Sequence, residues 1–154
     1  MTEKHANATL ETYKHVKQVR ENLNKVIKEL IDRSQHHDDS KFESPEVEIF
    51  GEHTEELCKV EYGSPEYTDC LSRVKPAIDN HYSKNRHHPE HWPNGIEDMT
   101  LIDLVELLAD WKAATQRNKN GNIRKSIEIN AGRYGISPQL RKILENTVRE
   151  LYHD

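Results

Sequence analysis

Apolar residues recur at three- and four-residue spacing along most of this chain, and that periodicity limits what it can fold into more than any other feature does. Val16, Val19, Leu23, Val26 and Leu30 form one such series, so roughly residues 8 to 34 read as a long helix. A second series, Val47, Phe50, Leu57 and Val60, stops near Gly63. A third runs through Tyr67, Leu71, Val74, Ile78 and His81 and passes Pro76, which kinks a helix of this kind rather than ending it. After a polar loop, roughly 85 to 98, Thr100 and Asp103 form a variant of the capping box. They precede a helix from Leu101 to about Gln116 that has hardly any polar face, which places it at the centre of a bundle. Two short helices end near Tyr134 and Tyr152. Ser44-Pro45, Ser64-Pro65 and Ser137-Pro138 each offer serine as an N-cap and proline as the first helical residue. The pattern predicts one all-α domain over residues 1 to 154, a bundle of about six helices.

Composition narrows the function classes. Charged residues make up 32% of the chain and hydrophobic ones 34%, with a mean hydropathy of -0.96, so the surface is polar and the core thin. No apolar stretch reaches membrane-spanning length and no signal-peptide core is present, which predicts a cytoplasmic protein without a membrane partner. A net charge of -5 lacks the electrostatic footprint of a dedicated nucleic-acid binder. Small phosphate ligands chelated to a metal stay compatible with it, because a bound cation reverses the local field. Cys58 and Cys70 lie on apolar stripes and form no CxxC pair, so they read as reduced, buried thiols. The ten histidines are the outlier, and six of them fall in two short clusters.

His15 falls within the apolar stripe of the first helix; such an inward histidine is a hydrogen-bonded core residue or a ligand. His37-Asp38 pairs a neutral nitrogen with an anionic oxygen, a combination that suits Mn, Fe, Co, Ni or Zn, although the same dipeptide occurs in solvated loops. Asp110 is more constrained. Within Leu107-Leu108-Ala109-Asp110-Trp111 a carboxylate loses hydration on folding and needs a cation or a set of donors. Asp103 lies on nearly the same face, with Glu106 close by, and a salt bridge is the alternative for each acid. His81 continues the inward stripe of its helix, and His87, His88 and His91 crowd the loop beside it, so a two-metal site is consistent with the spacing. Arg117, Lys119, Arg124 and Lys125 read as a hydrated basic turn.

The ordered set His15, His37-Asp38, His81, His87-His88 and Asp110 resembles the HD superfamily of helical metal-dependent phosphohydrolases. His37-Asp38-Asp39-Ser40-Lys41 is similar to that family's HDxGK segment, with Ser40 in place of glycine. Ala109-Asp110-Trp111-Lys112-Ala113-Ala114-Thr115 is similar to the aspartate-bearing helix of its HD-GYP branch, and His87 through Gly95 loosely resembles the HHE segment of that branch. The Gly-Tyr-Pro signature is absent. The HDxSK, NRHHPExW and LADW segments together resemble a family of small phage and bacterial proteins with no assigned activity.

The resemblance implies a metal-dependent phosphohydrolase acting on a small phosphorylated substrate, a nucleotide, in the cytoplasm, or in the host cytoplasm for a phage-encoded member. It implies one or two divalent cations (Mn, Fe, Co, Ni, Zn or Mg), held by His15, His37, Asp38 and Asp110 and by His81, His87 and His88, with Asp38 shared. Asp38, Lys41 and Arg86 are the implied catalytic residues, with Lys41, and Arg86 as a second candidate, neutralising phosphate charge; a solvated surface position is the alternative for both side chains. A two-iron oxygenase on the same fold and a non-enzymatic, metal-stabilised binding protein are the alternatives. Oligomeric state is left open.

Overall fold

A computed structural model describes residues 3–57, 65–117 and 120–152. The fold is all-helical: α1 spans Glu3–His36, α2 Glu46–Leu57, α3 Pro65–Lys84, α4 Leu101–Gln116, α5 Ile123–Arg133 and α6 Pro138–Tyr152. Single 3₁₀ turns occupy Asp39–Phe42, Pro89–His91 and Gly95–Asp98, and no strand occurs among the described residues. No helix among them is long and apolar enough to cross a membrane. The chain divides into two compact units, residues 1–36 and 37–154.

The first unit is α1. Charge pairs one turn apart run along it, Lys14 with Glu11 at 2.7 Å and Arg33 with Glu29 at 3.1 Å, and Arg33 places a cationic group in its last turn. The helix extends further than the apolar periodicity alone predicts. Its stripe is not buried, however: Val16, Val19, Leu23 and Val26 are 41–57% exposed, and His15 is exposed beside them. A single helix has no second element in its own unit against which to bury a stripe.

In the second unit α3 buries Cys70, Val74 and Ala77, and the helix runs through Pro76. Cys58 lies outside the described residues. Ser137 caps α6 by accepting from the Leu140 amide at 3.2 Å, with Pro138 opening the helix as the Ser-Pro rule predicts. Pro65 opens α3, while Ser64 is outside the described residues. Pro45 departs from the rule, because α2 opens one residue later, at Glu46. The Thr100–Asp103 capping box is present in both directions: the Asp103 amide donates to Thr100 Oγ1 at 3.2 Å and the Thr100 amide to Asp103 Oδ2 at 2.9 Å. Gly121 is required by close approach, since a Cβ there would fall 1.8 Å from the Thr115 carbonyl oxygen.

Leu104, Leu107, Leu108 and Trp111 of α4 pack with Ile123, Ile127 and Ala131 of α5, with Ile136, and with Leu144 and Val148 of α6. Its composition predicts a helix enclosed all round, but one face is open: Leu101 is 78% and Val105 41% exposed. One face enters the apolar core, one is open, and the third carries Asp103, Glu106 and Asp110. That third face positions the site.

Candidate metal centre

His37 and Asp38 precede the turn Asp39–Phe42, and Asp38 adopts the left-handed conformation, φ 60° and ψ 20°. Aspartate is among the few L-residues that visit this region, and residues held there cluster at functional sites. The Asp38 carbonyl accepts from the Lys41 amide at 2.9 Å, which closes the turn. Ser40 within it is buried, and its hydroxyl accepts from Asn85 Nδ2 at 2.7 Å. His81 comes from the last turn of α3, His87 and His88 from the loop that follows, and Asp110 from α4.

With Glu106 these side chains form three groups that could each hold a metal ion: His37, Asp38 and Asp110; Asp38, His81, His87 and His88; and His37, His87 and Glu106, with Asp38 common to the first two. In the first, His37 Nε2 lies 3.6 Å from Asp38 Oδ2 and 3.8 Å from Asp110 Oδ1. In the second, Asp38 Oδ1 lies 3.3 Å from His81 Nε2 and 3.5 Å from His87 Nε2, while the Nε2 atoms of His81 and His88 are 2.9 Å apart. His81 is 5% and His87 1% exposed. Asp38 Oδ1 and His87 Nε2 are buried and make no hydrogen bond. Buried polar atoms are nearly always satisfied, and two electron-pair donors aimed at each other are satisfied together by a cation. Nitrogen and carboxylate donors in this number fit a divalent ion.

The opposite edges of the rings are held by acids. Glu106 Oε1 accepts from His37 Nδ1 at 2.9 Å and lies 3.2 Å from His87 Nδ1. Glu46, with no exposed surface, accepts from His81 Nδ1 at 2.9 Å and from Asn80 Nδ2 at 2.7 Å. Asp110 and Glu106 raise the His37 pKa to about 10. Burial, with His87 and His81 nearby, lowers that of His88 to about 3, and burial also lowers His81. Burial works against ionisation of Asp38 and Asp110, but Lys41 beside the first and His37 beside the second outweigh it, so both carboxyls sit below their usual range. The cluster therefore holds ionised acids and, apart from His37, imidazoles that favour the neutral, ligating form where a shift is resolved.

Over residues 4–150 the sequence matches a family described as a family of unknown function (DUF5662). The chain belongs to that family. No curated protein and no solved structure matches it.

In this DUF5662 chain His37, Asp38, His81, His87, His88 and Asp110 come together, and Lys41 joins them at the rim, its Nζ 2.7 Å from Asp38 Oδ2. His15 belongs to none of the ligand groups found among the described residues. Arg86 is engaged elsewhere: its Nε and Nη2 donate to the two Asp103 oxygens, each at 3.2 Å, and its guanidinium lies 4.8 Å from the centre of the Trp92 ring. Asp103 is thus a salt-bridged acid, and its carboxyl is lowered by Arg86 and Thr100 against the effect of burial. His91 Nδ1 donates to the Tyr82 carbonyl at 2.9 Å and ties the loop to α3. Sequence reasoning missed Glu46 and left Glu106 without a role. Glu106 had a signal, since it lies one turn before Asp110 on the same helix. Glu46, in the first turn of a helix with other acids, had none.

Proposed function

We propose that this chain is a metal-dependent phosphohydrolase of the HD type, acting on a small phosphorylated molecule, a nucleotide. The observation that carries the reading is Asp38, whose two oxygens face two separate sets of ligand atoms, one of them buried without a hydrogen bond. His37, Asp38 and Asp110 would hold one cation, and Asp38, His81, His87 and His88 a second. Bound there, divalent cations supply Lewis acidity toward a phosphoryl oxygen and make water nucleophilic near neutral pH. The ordered motif from His37 to Asp110 supports the HD assignment.

Lys41 is 42% exposed at its side chain and already pairs with a site carboxylate, so it is placed to meet phosphate charge at the rim. Arg86 acts differently: its bonds to Asp103 and its stacking on Trp92 fix the backbone that carries His87 and His88. Metal analysis of the purified protein, run beside a hydrolysis screen over nucleotides and phosphomonoesters, tests the reading. Cation-dependent phosphate release is expected from the wild type and should fall at least ~100-fold in Asp38→Ala and Asp110→Ala. Equal metal content in all three proteins would remove the site assignment. Iron with oxygen uptake and no phosphate release would replace hydrolysis by oxygenation.

A further inference from the structure

We propose that Glu106 is a positioning residue shared by both ligand groups, orienting one imidazole in each and thereby coupling occupancy of one cation position to the other. The inference rests on the two-cation reading above. Its basis is a single oxygen. Glu106 Oε1 stands 2.9 Å from His37 Nδ1 and 3.2 Å from His87 Nδ1, and the two rings lie with centroids 4.4 Å apart. His37 belongs to the group with Asp38 and Asp110, and His87 to the group with Asp38, His81 and His88; Glu106 also falls within ligand distance of both rings, and the proposal assigns it the Nδ1 side of each rather than a place on the cation.

A carboxylate that accepts at Nδ1 keeps the proton on that nitrogen, so Nε2 presents its lone pair once the ring is neutral. For His37 that atom faces Asp38 Oδ2 and Asp110 Oδ1; for His87 it is the buried atom 3.5 Å from Asp38 Oδ1. The two groups are thus joined on the inside by Asp38 and on the outside by Glu106, whose side chain is only 10% exposed. Drawing His37 onto a cation fixes the oxygen that also orients His87. Glu46 is an internal contrast. It orients His81 alone, and its other oxygen is occupied by Asn80.

Calorimetric titration with Zn²⁺ of wild type, Glu106→Gln and Glu46→Gln separates the possibilities. Two Zn²⁺ per chain are expected for the wild type. Glu106→Gln should weaken both steps about 10- to 100-fold, the usual effect of losing an outer carboxylate, whereas Glu46→Gln should weaken one step only. Imidazole ¹⁵N–¹H spectra of the Zn²⁺-loaded wild type supply a readout that does not depend on any variant folding: His37 and His87 should both carry their proton on Nδ1. A proton on Nε2 of either ring, as direct ligation by Glu106 together with Nδ1 requires, overturns the proposal. So does a Glu106→Gln titration in which one step is unchanged, and both leave the two-cation reading standing. A wild type that takes up fewer than two Zn²⁺ overturns that reading and the coupling with it.

Discussion

Leu104, Leu107, Leu108 and Trp111 leave α4 on one side for an apolar core shared with α5 and α6, whereas Asp103, Glu106 and Asp110 leave it on another for histidines and an arginine. The first contact is non-directional and complete: Leu107, Ile127 and Val148 have almost no exposed surface. The second is directional and, in its middle, unsatisfied, because Asp38 Oδ1 and His87 Nε2 meet without a hydrogen bond. The difference teaches that one helix divides the work. Its apolar face holds the second unit together, and its acidic face meets histidines in groups that could hold a metal ion.

The largest effect should come from the apolar side. Leu107→Ala removes a fully buried side chain and is expected to lower the unfolding free energy by about 2–5 kcal/mol, as read from denaturant melts. Zn²⁺ uptake per folded chain should not change. A tenfold loss of affinity in the folded variant would break the division, since it would mean that packing of the core sets the ligand positions.

Next in size is the response to the ion itself. Zn²⁺ at roughly 100 to 1,000 times its Kd should raise the unfolding free energy by about 2.7–4.1 kcal/mol for each site it fills, the mass-action gain for a ligand that binds only the folded chain. Asp38→Ala, which removes the oxygens common to both groups, should abolish that gain. If the variant is stabilised as much as the wild type, the shared aspartate is not the centre of the cluster.

How far the two faces could be read from sequence differs for the same physical reason. The core face follows from spacing alone, because burial of Leu104, Leu107, Leu108 and Trp111 needs only helical period. Thr100 and Asp103 were legible too, since a capping box is local. Asp110 stood out by the cost of placing a carboxylate among leucines. The partners of these groups were not legible: Arg86 meets Asp103, and Glu106 meets His37, across 17 and 69 residues. Glu46 looks like any acid in a first turn until α3 is placed beside it. The stripe on α1 announced a helix correctly, but period carries no information about whether a partner element lies within the same unit.

A smaller effect is expected in the pH profile of the metal-free chain. Asp110 and Glu106 hold the folded His37 pKa at about 10, above its ordinary 6.5, so its contribution is full below pH 6.5 and is lost as pH rises toward 10. His88 runs the other way. Its folded pKa of about 3 means that stability is lost as pH falls below 6.5, and the lowered Asp38, Asp103 and Asp110 carboxyls add to that loss nearer pH 4. Unfolding free energy should therefore peak near pH 6.5. On the alkaline side its slope should stay below about 1.4 kcal/mol per pH unit, the limit for one proton, reduced by solvent at a ring that is 30% exposed. Saturating Zn²⁺ displaces the His37 proton and should flatten that alkaline limb. A limb equally steep with and without the ion would show that the proton and the cation do not compete for this imidazole.

The smallest effect sharpens the comparison at the point where the two faces meet. Thr100 accepts from the Asp103 amide, and its own amide and hydroxyl donate to Asp103 Oδ2, at 2.9 and 2.7 Å. Thr100→Ala removes the side-chain half of the box, an expected loss of about 1 kcal/mol. It leaves the backbone donor and both Arg86 bonds on the Asp103 carboxylate. Because Arg86 directly precedes His87 and His88, a shift of Asp103 would travel along the backbone into the second ligand group, while an Asp103 that stays in place would keep Zn²⁺ affinity within about twofold of wild type. A thermal melt paired with a Zn²⁺ titration distinguishes the two. Lowered stability with unchanged affinity means that Arg86 and the remaining amide suffice to hold the loop, whereas a joint loss means that the helix cap is itself part of the scaffold for the histidines.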